Sequence, residues 1–484
     1  MSEQPNNLYR VITKAAAIFG GVQVLSILCS VVRTKVIAVL LGSAGIGIIG
    51  LYNNAIETIT ALTGLGIRSS SVREISEADN QENKSELSRI ITVVRRWSWF
   101  VGLLGAVVLI TLAPLLSQYT FGDKDHIWGF VWLSCTLLFN ALTSGEQAIL
   151  QGTKQLKRLA YCSVYGSIAA LVVSLPLYYF MGIDGIVPSL ILYALATLIV
   201  TLLYKDRKTE ASKISLQQTV GQGREMITLG VFMTVSSFIT TLFSYIFAAY
   251  LNTHSGETTV GYYQAGFTLM NKYVGLIFAA MAMEYYPRLS GIAKDNTILS
   301  QYVGKQVEMM QLMLAPIIAL FIVLHPLMIR ILYTTEFYAI NGYLLLASQG
   351  ISFKAISWAI GFILLAKGSG KLYFITELIS DTITLALNIV GYHYWGLAGV
   401  GASYTIGFIL YLIIIYVTCR HHYHIEPGRK AWAATAITTL IAIVTCISYI
   451  YLQPLAWVVT LITVVTSFIL LYRRWQGKEE KKID

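Results

Sequence analysis

Long apolar stretches separated by short polar runs dominate the chain from end to end. A helix needs about 20 apolar residues to cross the hydrocarbon core of a bilayer, so each stretch predicts a membrane helix. Fourteen segments qualify, at about 11–40, 44–66, 92–114, 127–150, 159–181, 184–204, 225–251, 260–286, 306–332, 340–366, 371–393, 396–418, 431–452 and 455–472. Several contain Gly or Pro, which membrane helices tolerate better than soluble ones. The pattern predicts an all-α polytopic membrane protein with about 14 transmembrane helices.

Composition agrees. Of 484 residues, 56% are apolar and only 12% charged, against about a quarter charged in soluble domains. Charge this scarce cannot cover a soluble surface. The first apolar run is too long for a signal-peptide core and no small-residue cleavage site follows it, so it reads as a retained helix. The five cysteines include no C-x-x-C pair, which counts against a disulfide framework.

The net charge of +10 would suggest nucleic acid in a soluble chain, but here it reads as topology and no nucleic acid is expected. Of the 35 Lys and Arg residues, all but Arg33, Lys35, Lys124, Lys272, Arg330 and Lys354 fall on the side shared by the N-terminus, the even-numbered loops and the C-terminus. The excess of positive charge on cytoplasmic loops then puts both termini in the cytoplasm. Outward loops are short, the longest at about 115–127, whereas the inward loops at 68–91 and 205–224 are longer. The second is rich in Lys, Gln, Ser and Thr and reads as a linker. The expected organisation is an N-lobe at 1–205, a cytoplasmic linker at 206–223, a C-lobe at 224–420, and two extra helices with a basic tail at 421–484.

The two lobes repeat each other at an offset of 214. Gly42 and Gly47 match Gly256 and Gly261, and the hairpin Gly182-Ile-Asp-Gly185 matches Gly396-Leu-Ala-Gly399. Pro114 and Pro326 match at 212. Six helices per copy is an even number, so both copies enter the membrane in the same sense. Such parallel repeats predict two six-helix lobes around a central cavity, with the two C-terminal helices outside the repeat.

Polar residues inside the spans follow three- and four-residue steps, one side of a helix. Examples are Gln23, Ser26, Ser30 and Arg33; Asn53, Asn54 and Glu57; Asn140, Thr143, Ser144 and Gln147; Gln264, Thr268 and Asn271 with Lys272 beside them; Lys354 and Ser357; and Glu377, Asp381 and Asn388. The uncharged residues weigh toward packing, because Ser, Thr, Asn and Gln commonly hold membrane helices together. Glu57, Lys272, Lys354 and Asp381 weigh toward function, because a charge at mid-membrane costs about 2.5–3.5 kcal/mol on insertion scales. A Glu57–Lys272 ion pair would explain both charges without a ligand. Arg33 and Lys35 lie in the outer half of the first helix and weigh slightly toward function, with snorkelling to the interface the competing reading. Glu146 reads as interfacial.

Two motifs mislead. Gly368-Ser-Gly-Lys371 imitates the end of a nucleotide-binding loop, but Leu365 and Leu372 stand where Gly and Ser/Thr are needed, so it reads as a turn. His421, His422 and His424 lie among Arg420, Arg429 and Lys430 and read as a solvated basic loop. No cofactor and no metal are expected.

Three stretches carry a family resemblance. The run Lys35-Val-Ile-Ala-Val-Leu-Leu-Gly42-Ser-Ala-Gly45-Ile-Gly47, the pair Val260-Gly261-Tyr-Tyr-Gln264 and Tyr286-Pro287-Arg288-Leu289-Ser290, and Lys354 followed by Gly361 and Ala366-Lys367 are similar to the multidrug, oligosaccharidyl-lipid and polysaccharide exporter superfamily. Within it the chain resembles O-antigen translocases and flippases of the enterobacterial common antigen lipid precursor. The closest of those have twelve helices, where this chain reads as fourteen. Arg33 matches an arginine of peptidoglycan-precursor flippases.

The resemblance implies a bacterial inner-membrane flippase that moves an isoprenoid-pyrophosphate-linked glycan outward by alternating access, with surrounding membrane lipids and glycan polymerase machinery as further partners. It implies substrate contacts from Arg33, Lys35, Lys272, Lys354, Asn53, Asn54, Asn271 and Gln147. With no nucleotide site, Glu57 and Asp381 are the candidates for H+ or Na+ coupling. A multidrug/cation antiporter of the same superfamily is the alternative. A membrane glycan polymerase is disfavoured by the short outer loops, and a structural platform would not need buried charge.

Overall fold

Apolar runs broken by glycine fold here into long helices that change direction inside the run. The structure, a computed structural model, describes residues 5–80, 84–205 and 214–480. Within those ranges the side chains of 5–24, 216–218, 222–233, 272–274, 276–277, 279–280, 282–284 and 474–480, and those at positions 69, 80, 220 and 287, lie outside the description. Every regular element among the described residues is helical. In chain order these are α1 (Pro5–Thr63), α2 (Ile67–Asn80), α3 (Lys84–Phe121), α4 (Ile127–Gly152), α5 (Leu156–Met181), α6 (Ile186–Tyr204) and α7 (Leu216–Thr268). There follow α8 (Val274–Gly291), α9 (Asn296–Leu332), α10 (Asn341–Ser348), α11 (Ile351–Ala366), α12 (Gly370–Tyr423), α13 (Arg429–Tyr451) and α14 (Gln453–Glu480). A π-helical turn, Leu269–Tyr273, joins α7 to α8.

The all-α polytopic architecture is as expected. Among the described residues nine segments are long and apolar enough to cross a membrane, or ten if the bent pair Thr335–Ser348 and Ile351–Ala366 is one span. That is fewer than the fourteen expected, because length alone joins segments on either side of a glycine break.

The breaks follow the repeat. Gly42 has φ 64° and ψ −163°, and Gly256 has φ 76° and ψ 173°. Gly182 and Gly396 pair in the same way, at φ 58°, ψ −130° and φ 57°, ψ −143°. Such dihedrals are nearly closed to residues with a Cβ. Matching conformations at the matching positions make the duplication a property of the backbone as well as of the letters.

The chain divides into two compact units, Met1–Gly261 with Leu332–Thr334, and Tyr262–Ile331 with Thr335–Asp484. The first unit packs α3 on α4 and α5 on α6 as hairpins around Leu109, Ala113, Phe130, Leu133 and Tyr178. It also contains a reciprocal contact between the segments after the first pair of breaks. A Cβ on Gly47 would lie 2.0 Å from the Glu257 carbonyl oxygen, and one on Gly261 would lie 1.8 Å from that of Ser43. The pairs Ser43/Gly47 and Glu257/Gly261 are related by the repeat offset, so one small-residue crossing is used twice.

The second unit packs α10 and α11 on α12 and docks α13 and α14 on α9. That docking is inside out by the standards of a soluble protein. Thr435, Thr438, Thr445 and Thr460 are buried, while Leu440, Ile447, Leu461 and Phe468 are more than half exposed. Buried Gln311 of α9 donates to the Ser352 carbonyl at 2.9 Å and to the Thr435 hydroxyl at 3.2 Å, and Thr438 donates back to the Gln311 carbonyl at 3.3 Å. In lipid, where apolar contact between helices gains little, small residues and hydrogen bonds are what associate helices.

Candidate functional site

The expected site residues divide between the two units. In the first, α1 carries Arg33, Lys35, Asn53, Asn54 and Glu57, and α4 carries Gln147. Arg33 donates from Nη2 to the Tyr178 hydroxyl of α5 at 3.4 Å, and its guanidinium lies 4.3 Å from the centre of the Tyr193 ring of α6. Its Nε is buried with no hydrogen-bond partner among the described residues. This is a fixed cation between three helices rather than a snorkelling one. Lys35 donates to the Tyr333 carbonyl. Its stem also borders a groove of about 600 Å³ between α1 and α5, walled by Val36, Val39, Leu171, Leu175 and Phe180. Asn53, Asn54 and Gln147 are half-buried and Glu57 is exposed. Glu146 is buried and takes two hydrogen bonds from Arg95, at 2.7 and 3.1 Å, which clamp α3 to α4.

In the second unit the structure brings two expected residues together. The Lys354 ammonium of α11 donates to Asn271 Oδ1 at 2.9 Å. It also donates to the Tyr404 hydroxyl of α12 at 3.2 Å and lies 5.2–5.7 Å from the ring centres of Phe278, Tyr404 and Phe408. The π-helical turn places Asn271 there, one of the known uses of such turns at functional positions. Aromatic faces attract a cation within about 6 Å, and three of them surround the Lys354 Nζ. Among the described residues neither Lys354 nor Arg33 has a carboxylate partner. Asp381 is half-buried on α12, one turn beyond Glu377, which accepts a hydrogen bond from Tyr411. The side chain of Lys272 lies outside the described residues, as does that of Gln23.

Sequence reasoning missed the tyrosines. Tyr178, Tyr193, Tyr404 and Tyr411 are absent from the expected site, yet each touches an ionisable side chain. The spacing of Tyr404, Phe408 and Tyr411 at i, i+4 and i+7 marks one helical face and was the available signal. The histidines His421, His422 and His424 are exposed, and the described residues contain no cluster that could hold a metal ion.

Residues 36–341 match the family of polysaccharide biosynthesis proteins. The chain belongs to that family. It is also 20% identical over 387 residues to the lipid III flippases of Escherichia coli K12 and Shigella flexneri, spanning 78% of this chain and 90% of each relative. Among solved structures it is similar to a lipid II flippase in an inward closed conformation, with TM-score 0.68, 13% identity and coverage of 95% of this chain and 99% of that one. An inward-facing multidrug transporter of the exporter superfamily gives TM-score 0.63, 15% identity and coverage of 86% and 96%. The chain therefore has the polytopic helical fold of these two transporters.

Proposed function

We propose that this polysaccharide biosynthesis protein is a flippase for an isoprenoid-pyrophosphate-linked oligosaccharide, which it carries from the cytoplasmic to the outer leaflet of a bacterial inner membrane. The carrying observation is the Lys354 cage: a cation in a membrane helix, held by Asn271, Tyr404 and three aromatic rings, with no acidic partner among the described residues. An uncompensated charge there is costly, so an anion arriving with the substrate is its natural partner. Arg33 repeats the logic in the other unit, against Tyr178 and Tyr193.

Lys35 beside an apolar groove suits an amphiphile whose head is anionic and whose tail is hydrocarbon. The relatives named as lipid III flippases support the same substrate class. Asn53, Asn54, Asn271, Gln147 and Lys272 complete the proposed contacts to pyrophosphate and sugar. Both termini are cytoplasmic in this reading, and the O-antigen type of glycan, with a glycan polymerase as consumer of the product, is its finer form. Glu57 and Asp381 are proposed to couple the cycle to H+ or Na+.

The experiment is flipping of a fluorescent undecaprenyl-pyrophosphate-linked oligosaccharide in liposomes. The expected result is quenching of both leaflets with wild-type protein and a loss of about tenfold or more in rate for Lys354→Met, the size set by a charge-assisted hydrogen bond of about 1.5–3 kcal/mol. Full activity of a folded Lys354→Met protein overturns the role of the cage. Export of cationic dyes with no flipping favours the antiporter reading, for which the Glu377–Tyr411 contact is the specific support.

A further inference from the structure

A second pocket in the first unit lies at the opposite end of the helices from the Lys35 groove. It is an open depression of about 590 Å³ between the last turn of α1, the start of α2, the end of α4 and the middle of α7, and Thr60, Arg68, Gln151 and Ser237 on its walls are exposed. That volume is within the range of small-molecule sites, about 300–1,000 Å³. Its chemistry is unlike that of the groove. Thr60, Thr234 and Ser237 offer hydroxyls, Gln151 an amide, and Arg68 the one charge among the described lining residues.

The fold fixes these groups relative to one another. Thr58 donates to the Thr241 carbonyl at 3.1 Å, which ties α1 to α7 just beyond the pocket. At the start of α7, Arg96 donates to the Ile214 carbonyl at 3.1 Å and to the Thr219 hydroxyl at 2.9 Å. Trp97 donates to the Thr219 carbonyl at 2.9 Å, so this end of α7 is held against α3. Gly152 lets α2 and α4 touch: a Cβ there would lie 2.6 Å from Ile75, and the contact sets Arg68 and Gln151 on one rim. A sugar presents donors and acceptors that hydroxyl and amide groups match in number, and a phosphate presents oxygens that a guanidinium binds in pairs.

Resting on the flippase reading, we propose that this pocket is a loading subsite for the phosphorylated glycan head group. Arg68 takes a phosphate, and Thr234, Ser237, Thr60 and Gln151 take the hydroxyls of the first sugars.

The test is equilibrium binding to the full chain in nanodiscs, with three probes: a water-soluble farnesyl-pyrophosphate-linked disaccharide, inorganic pyrophosphate and the free disaccharide. Arg68→Gln is expected to weaken the first two about tenfold, the size of one charge-assisted contact. Thr234→Val with Ser237→Ala is expected to weaken the first and third and to leave pyrophosphate unchanged. Gln151→Leu, at an exposed position, repeats the sugar arm should the double variant unfold below the wild-type midpoint. Wild-type binding by all these variants, with flipping intact in the wild type, overturns the subsite and leaves the flippase reading standing. A wild-type protein that neither binds the linked disaccharide nor flips its long-chain form overturns both.

Discussion

The two repeats share a backbone and differ in charge. Gly42, Gly47 and Gly182 recur 214 residues later as Gly256, Gly261 and Gly396, with nearly the same dihedrals or the same close approach. The charged residues inside the membrane spans do not recur. At that offset Arg33 falls opposite Phe247, Lys35 opposite Ala249, Lys354 opposite Asn140, and Glu377 and Asp381 opposite Ser163 and Ser167. Phe247 and Ala249 are buried and need no partner. The fold therefore does not require a charge at these positions, since one copy builds the same helices without it. What the glycines do is geometric and needed twice; what the cations do is needed once.

That contrast can be broken most severely at the crossing. Gly261→Val and Gly47→Val each place carbon against a backbone carbonyl that has nowhere to move, and are expected to cost about 1–3 kcal/mol or more. The check is monodisperse yield and thermal midpoint in detergent, where both variants should fall together because the contact is reciprocal. A loss at one glycine only would mean the crossing is not shared.

The next largest effect is expected from exchanging residues between repeats. Lys354→Asn installs the residue found at position 140 and removes the ammonium that Asn271 and Tyr404 hold. The folded yield should stay close to wild type and the flipping rate should drop by about tenfold or more, as for loss of a charge-assisted bond. Arg33→Phe installs the residue found at 247 beside Tyr178 and Tyr193. It removes a guanidinium whose Nε is buried without a partner, so the midpoint should hold or rise while transport falls. A lower midpoint with normal transport would make Arg33 structural and weaken the comparison.

The smallest effect lies outside the membrane helices, in the turn between α3 and α4. Asp123 accepts a hydrogen bond from His126 at 3.0 Å, and that contact, ahead of the others, holds its carboxyl below the usual carboxylate range. A lowered carboxyl contributes stability above its ordinary range and loses it as pH falls through the lowered value. Asp123→Asn should therefore flatten the acid limb of the midpoint against pH and change nothing near neutrality.

The sequence was most informative where one residue suffices. A glycine at a helix break has its meaning in its own dihedrals, so the repeat could be seen before any contact was known. Lys354 and Asn271 were each singled out by polarity at mid-span, and they meet. What could not be read was the partner. Lys35 donates to a carbonyl 298 positions away, and Arg33 is held by tyrosines of two later helices. A tyrosine in a membrane helix counts as apolar until a cation stands beside it, and only the fold supplies that neighbour.

The matched breaks at Gly42 and Gly256 also bear on how such a chain arises. A duplicated segment of this kind keeps one set of backbone breaks in both copies. Joined in one chain, each copy can carry its own ionisable residues, which two identical chains would be compelled to carry in duplicate.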